Sequence, residues 1–301
     1  MNEKISVGGQ ALIEGIMMRA GEKVSIVVRK NDGEFAYQDK IIKTNKIISK
    51  IPIIRGIAVL IGSMAVGIKA LSFSAEYFAE GDEDYEMGKF DKWVYDKFGD
   101  KAENIIVAFS MVMALVLATL LFGIAPTFII NFFKSVTNNV MILSALEGIM
   151  KIVIFVTYLT VISRMKDIKR VFEYHGAEHK SIYTYESGEE LTVENARKHK
   201  RLHPRCGTNF LTIVLMVSII IFSFISWESV LMRVMYKMIL LPLVAGFSYE
   251  IIKIAGKTDN IIFKIISYPG MMMQKITTSE PDDGQLEVAL EALKRAISNE
   301  N

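Results

Sequence analysis

Four long apolar runs, separated by polar stretches, dominate the 301-residue chain. The first extends from about Ile105 to Ile130, with Gly123 and Pro126 placed to kink it. A short connector, Asn131–Asn139, leads to the second, Val140 to about Ser163. The third covers about Phe210–Ile225, with Trp227 as an interface anchor, and the fourth about Val234–Ile254, interrupted by Pro242. All but the third, which is a little short, reach the roughly 20 residues a bilayer crossing requires. A further helical stretch opens at Pro52 and runs to about Tyr77. Its uninterrupted apolar core, Gly56–Ile68 between Arg55 and Lys69, is too short for a span. It predicts an interfacial or re-entrant helix in which Gly56, Gly62 and Gly67 permit close packing.

The polar segments have their own patterns. Residues 1–50 predict a β-rich segment, with Val24–Val28 and Glu34–Tyr37 extended around the turn signal Asn31-Asp32-Gly33. Gly8-Gly9 predicts a tight turn. Residues 51–80 hold the interfacial or re-entrant helix, and residues 81–103 form an acidic connector. The first transmembrane pair occupies 104–163, a polar loop 164–207, the second pair 208–255 and a tail 256–301. In the tail, Tyr268-Pro269-Gly270-Met271 predicts a turn. Pro281 and the acids after it mark a helix start, capped by Ser279 or Glu280. Leu286, Leu290, Leu293 and Ile297 then form one apolar stripe that docks on the rest of the protein. The fold class is therefore a mainly α-helical polytopic membrane protein. It has about four transmembrane helices plus an interfacial or re-entrant helix, and a small β-containing N-terminal segment.

Composition agrees, with 51% of residues hydrophobic. A formal net charge of +2 does not indicate nucleic-acid binding, so the placement of Lys and Arg matters more than their sum. The 164–207 loop carries Arg164, Lys166, Lys169, Arg170, Lys180, Arg197, Lys198, Lys200, Arg201 and Arg205. The connectors on the other side carry only Lys134 and, at the edge, Arg233. The positive-inside rule then puts the loop and both termini in the cytoplasm. The opening residues MNEKISVGGQ contain no apolar core for a cleavable signal, so the first span serves as insertion signal. One cysteine suits a reducing compartment. Inside the spans, Glu147 and Lys151 stand at i and i+4 as a mutually neutralised pair. Glu250 either approaches the loop or bonds beside Tyr249 or Lys253.

All four histidines and the only cysteine fall within that loop. His175 and His179 are one helical turn apart, so both imidazoles can reach one ion, with Glu178 between them. This His-x-x-Glu-His spacing is that of inverted zincin metalloproteases. In His203-Pro204-Arg205-Cys206-Gly207, two ligands separated by two residues make a knuckle-like turn whose amides favour the thiolate. Together His175, His179, His203 and Cys206 make a three-nitrogen, one-sulfur set suited to Zn2+. His199 can substitute for His203, but its setting, Arg197-Lys198-His199-Lys200-Arg201, is that of a basic amphipathic turn facing anionic headgroups.

Four motifs bear on the family. Ser6-Val7-Gly8-Gly9-Gln10-Ala11-Leu12-Ile13-Glu14-Gly15-Ile16-Met17-Met18-Arg19, Tyr174-His175-Gly176-Ala177-Glu178-His179-Lys180, His203-Pro204-Arg205-Cys206-Gly207-Thr208 and Thr278-Ser279-Glu280-Pro281-Asp282-Asp283 appear in that order. In these the chain resembles, over essentially its whole length, the YqhQ-like proteins. These are a bacterial family of unknown function described as metal-dependent membrane enzymes. The resemblance implies a bacterial inner (cytoplasmic) membrane location and His175, Glu178, His179, His203 and Cys206 as site residues. Gln10, Glu14 and Arg19 of the first motif either line the same pocket or pack against the loop.

Two functions follow as expectations. The first is a zinc-dependent hydrolase with Glu178 as general base, acting on a substrate from the membrane or its cytoplasmic face. The second is a non-enzymatic assembly or biogenesis factor. There zinc is structural, and the basic face binds a cytoplasmic or membrane protein partner.

Overall fold

A computed structural model describes residues 5–43, 48–79, 88–227, 229–255 and 261–298. The chain divides into two compact units: Met1–Gly81, Tyr158–Ser218 and Pro242–Asn301 form the first, and Asp82–Thr157 and Ile219–Leu241 the second.

The first unit opens with a four-stranded antiparallel meander, β1 Val7–Leu12, β2 Gly15–Ala20, β3 Lys23–Arg29 and β4 Phe35–Ile41, paired in chain order. Its register runs Val7↔Ala20, Gly15↔Val28 and Lys23↔Ile41 at the strand ends. The Asn31-Asp32-Gly33 signal joins β3 to β4 as expected, with Gly33 at φ 86° and Asp32 Oδ1 accepting from the Glu34 amide at 2.9 Å. Gly8-Gly9 is not a turn but lies inside β1, because the β1–β2 reversal falls at Ile13-Glu14, with Glu14 at φ 50°.

Period-two alternation gives the sheet two buried faces. Ile16, Met18, Ala20 and Val27 pack with α6, Lys166–Ser187, and α11, Asp283–Ile297, around Tyr174, Ala177, Leu286, Ala289, Leu290 and Leu293. The tail stripe is thus docked on its own protein, except that Asp282 rather than Ser279 or Glu280 caps α11, through a reciprocal capping box with Gln285. Leu12, Met17, Val24, Ile26 and Val28 form the other face, covered by Val66, Ala70, Phe73 and Tyr77 of α1, Ile54–Ala79.

Between them the units contain α2, Lys89–Phe98, and α3, Ala102–Ala118, which continues through a π turn, Thr119–Ile124, into α4, Ala125–Asn131. The acidic connector is therefore helical from residue 89, and residues 81–87 of it lie outside the described residues. Then come α5, Val140–Ile162, α7, Val193–Lys198, α8, Gly207–Phe222, α9, Val230–Ala255, and α10, Ile261–Thr277. Pro269-Gly270 sits within α10, so the expected turn at Tyr268–Met271 is absent.

Among the described residues four helices are long and apolar enough to cross a membrane: Ile54–Phe78, Ile105–Ser135, Val140–Ile162 and Val230–Ile254. The chain is thus a mainly helical membrane protein with a strand-built N-terminus. Two details differ from expectation. Ile54–Phe78 is long and apolar enough to cross although its uninterrupted apolar core is short, whereas α8, the expected third span, has only 16 residues and falls among the shorter apolar helices. Glu250 pairs with Arg55 through two guanidinium bonds rather than reaching the loop, Nε lying 2.7 Å from Oε1.

Candidate metal centre

The centre begins with α6, which buries Glu178 and His179 and carries Tyr174, Ala177 and Ile182 into the sheet core. His175 and His179 stand one turn apart on it, with ring centroids 4.5 Å apart. Each ring is oriented by a backbone carbonyl. His175 Nδ1 lies 2.8 Å from the Thr277 carbonyl oxygen, and His179 Nδ1 hydrogen-bonds the Arg201 carbonyl. A carbonyl only accepts, so Nδ1 carries a proton in both rings, which makes Nε2 the ligand atom of each ring when neutral. His175 Nε2 points to Cys206 Sγ at 3.1 Å. His179 Nε2 is buried with no hydrogen-bond partner among the described residues.

Cys206 arrives from the 203–207 turn, which closes through the Cys206 amide to the His203 carbonyl at 3.4 Å. Gln274 of α10 holds that turn. Its carboxamide accepts from the His203 amide and donates to the His203 carbonyl, both at 2.8 Å. The Thr208 amide donates to Cys206 Sγ at 3.3 Å, the backbone contact expected of a knuckle. The result is a group of three: one nitrogen each from His175 and His179 and the Cys206 sulfur lie within 4.8 Å of one another. Soft sulfur with two imidazoles is a donor set for a transition metal or zinc rather than magnesium or calcium.

His203 and His199 do not join this group. His203 Nε2 lies 3.3 Å from Glu186, and its Nδ1 accepts from the Arg205 amide at 3.2 Å. Burial opposes the Glu186 charge, but His203 and Arg205 beside it hold its carboxyl below the usual range. His199 Nε2 lies 3.3 Å from Glu189, its ring stacked on Tyr183.

Glu178 is buried on the same helix, against β1. A Cβ on Gly9 would stand 3.0 Å from the Glu178 carboxyl carbon and 2.7 Å from the Met17 carbonyl, so the strand meets the acid only as glycine. Burial pushes the Glu178 carboxyl up, against the pull of His175, His203 and the Gly9 amide. Burial also holds the His179 ring below the usual imidazole range, so it is neutral and able to donate its lone pair.

The remaining motifs converge here. Ser279 donates its amide to the Phe172 carbonyl at 2.8 Å, and its own carbonyl lies 2.1 Å from where a Gly176 Cβ would stand. Arg201 Nη1 reaches the Thr278 carbonyl at 2.7 Å, and Lys180 pairs with Glu280. Glu14 accepts from the Arg170 guanidinium and, at 3.1 Å, from the Tyr174 hydroxyl. Gln10 lies against Gly67 of α1, and Arg19 bonds the Gly21 carbonyl. The N-terminal motif therefore braces α6 and α1. Sequence reasoning missed the Thr277 and Arg201 carbonyls and Gln274. Backbone acceptors leave no residue signature, and Gln274 is marked only as a lone polar side chain after three methionines.

Two comparisons place the chain among known proteins. It is 32% identical over 295 residues to the uncharacterized protein YqhQ of Bacillus subtilis (strain 168), covering 96% of this chain and 92% of that protein. No solved structure matches. The family described as a protein of unknown function (DUF1385) matches residues 51–299, and the chain belongs to it.

Proposed function

We propose that the protein is a zinc-dependent membrane hydrolase, with the ion on His175 Nε2, His179 Nε2 and Cys206 Sγ and with Glu178 as general base. One observation carries this reading: both Nδ1 atoms are fixed on carbonyls, so three lone pairs converge, while His203 is engaged by Glu186 and the Arg205 amide. Three protein donors leave a fourth position for water, the arrangement of catalytic rather than structural zinc. Bound zinc would supply a water of pKa about 7 and polarise the scissile group. Glu178, between the two histidines in sequence and desolvated, would serve as general base towards the attacking water and as general acid towards the leaving group.

The location rests on chain parity. The sheet packs directly on α6 and α11, so these three lie on one side of the bilayer. An even number of crossings must therefore separate the sheet from α6, although three candidate helices lie between. α1 is the one that does not cross. Its Val66–Tyr77 half covers the sheet, and the preceding dozen residues span about 18 Å against about 30 Å of hydrocarbon. Likewise α9 can cross only if α8 does. The basic 164–207 loop supports a cytoplasmic location for that side and for both termini, in a bacterial inner membrane.

The burial of His179 and Cys206 favours a second reading, in which the ion is structural and the exposed Lys198 and Lys200 face a protein partner. X-ray absorption on the zinc-loaded full chain separates the two. Two nitrogens, one sulfur and a water, with zinc retained but turnover lost in Glu178→Gln, is the expected result. Three nitrogens, one sulfur and no exchangeable water would leave only the structural role. Zinc that survives joint replacement of His175, His179 and Cys206 would remove the site.

A further inference from the structure

The second unit holds a set of charges that the His/Cys group does not use. Glu147 and Lys151 of α5 and Arg233 and Lys237 of α9 are each at most 4% exposed, inside helices apolar enough for lipid. Charges at such depth are costly and persist where they are paired or functional. The sequence pairs Glu147 with Lys151, but the structure gives both carboxylate oxygens to α9. Arg233 Nη2 lies 2.8 Å from Oε2, and Lys237 bonds Oε1.

Arg233 is then saturated. It donates to Ser144 Oγ at 3.1 Å and to the carbonyls of Phe222, Ile225 and Ser226, and it lies 4.0 Å from the Trp227 ring centroid. Lys237 also donates to Thr127 Oγ1 at 2.7 Å, and that hydroxyl is seated 2.9 Å from the Gly123 carbonyl of the π turn. Lys151 is different. None of the described residues accepts a hydrogen bond from its ammonium, which faces the Phe222 ring at 4.6 Å. Lys237 Nζ lies 5.9 Å from the same ring. Three basic side chains thus share one carboxylate, and among the described residues Lys151 is left without an acceptor, beside an aromatic ring that Lys237 also approaches.

We propose that Lys151, with Lys237 beside it, binds a phosphate-bearing anion within the helical bundle. The ammonium has three donors and no acceptor, and lysine serves phosphate as a compact point charge. A free phosphate and a phospholipid headgroup share this chemistry.

The test is thermal unfolding of the full-length protein in nanodiscs of phosphatidylcholine, with inorganic phosphate titrated in, and in nanodiscs containing phosphatidylglycerol. An anion that binds only the folded state raises the midpoint. A rise with inorganic phosphate in the neutral lipid identifies the soluble ion, and a rise confined to phosphatidylglycerol identifies the headgroup. Lys151→Met should weaken the response about tenfold or more, the cost of one charge-assisted hydrogen bond. Lys151→Gln repeats the comparison if the methionine variant yields too little folded protein. No midpoint shift with either probe, or an undiminished response in the Lys151 variants, overturns the site.

Discussion

At the scale of single residues, the histidines show how much one ring nitrogen decides. His175 and His179 each commit Nδ1 to a carbonyl and so present Nε2. His203 commits Nε2 to Glu186 and Nδ1 to an amide, and so presents neither. We therefore expect His203→Gln to lower stability by about 1–3 kcal/mol, through the buried partners it leaves unmet, while zinc stoichiometry stays unchanged. Equilibrium denaturation and metal analysis of the purified variant check both halves. Loss of zinc with retained fold would restore the four-ligand arrangement that the residue types alone suggest. The clustering of four histidines and one cysteine in one loop was fully legible in the sequence. Which of them turn inward was not, because that depends on carbonyls brought from Thr277 and Arg201.

Among the elements, α6 carries the centre and the 278–281 segment straps it down. The contact is closest at Gly176, where a Cβ would meet the Ser279 carbonyl at 2.1 Å. Backbone cannot retreat as a flexible side chain does, so Gly176→Ala must push the strap outward. We expect a loss of about 1–3 kcal/mol. The same shift moves the Thr277 carbonyl off His175, and zinc affinity should fall about 10- to 100-fold, the usual effect of losing an orienting partner. Calorimetry and chelator competition measure the two, and an alanine variant with wild-type affinity would show that the strap does not orient the ligand. The helix start after Pro281 and its leucine stripe were readable from capping chemistry and periodicity. Gly8-Gly9 was not, since a glycine pair suits a turn and a close strand–helix approach alike. Only the arrival of Glu178 opposite Gly9 distinguishes them.

Over the whole molecule, three segments far apart in sequence, the sheet, α6 and α11, share one core. That sharing makes the number of crossings between them even, which no hydropathy profile can state. With α1 lying on the sheet, fluorescent-protein fusions at both termini should fluoresce in the cytoplasm. Thr137→Cys, in the short connector between α4 and α5, should label with an impermeant maleimide from outside. A fusion pair with opposite signals would place α1 across the bilayer and separate the sheet from α6.

What the sequence determined by itself is everything that rests on local periodicity and composition: the apolar helices, the hairpin turn at Asn31-Asp32-Gly33, the docked tail stripe and the loop that carries the chemistry. What only the tertiary structure decided is the partnership between distant groups. The three donor atoms, the Glu147 ion pairs with α9 and the approach of Lys151 to the Phe222 ring all arise where separate segments meet. Periodicity reports which face of an element is buried, while the identity of the atom it meets depends on how the chain returns.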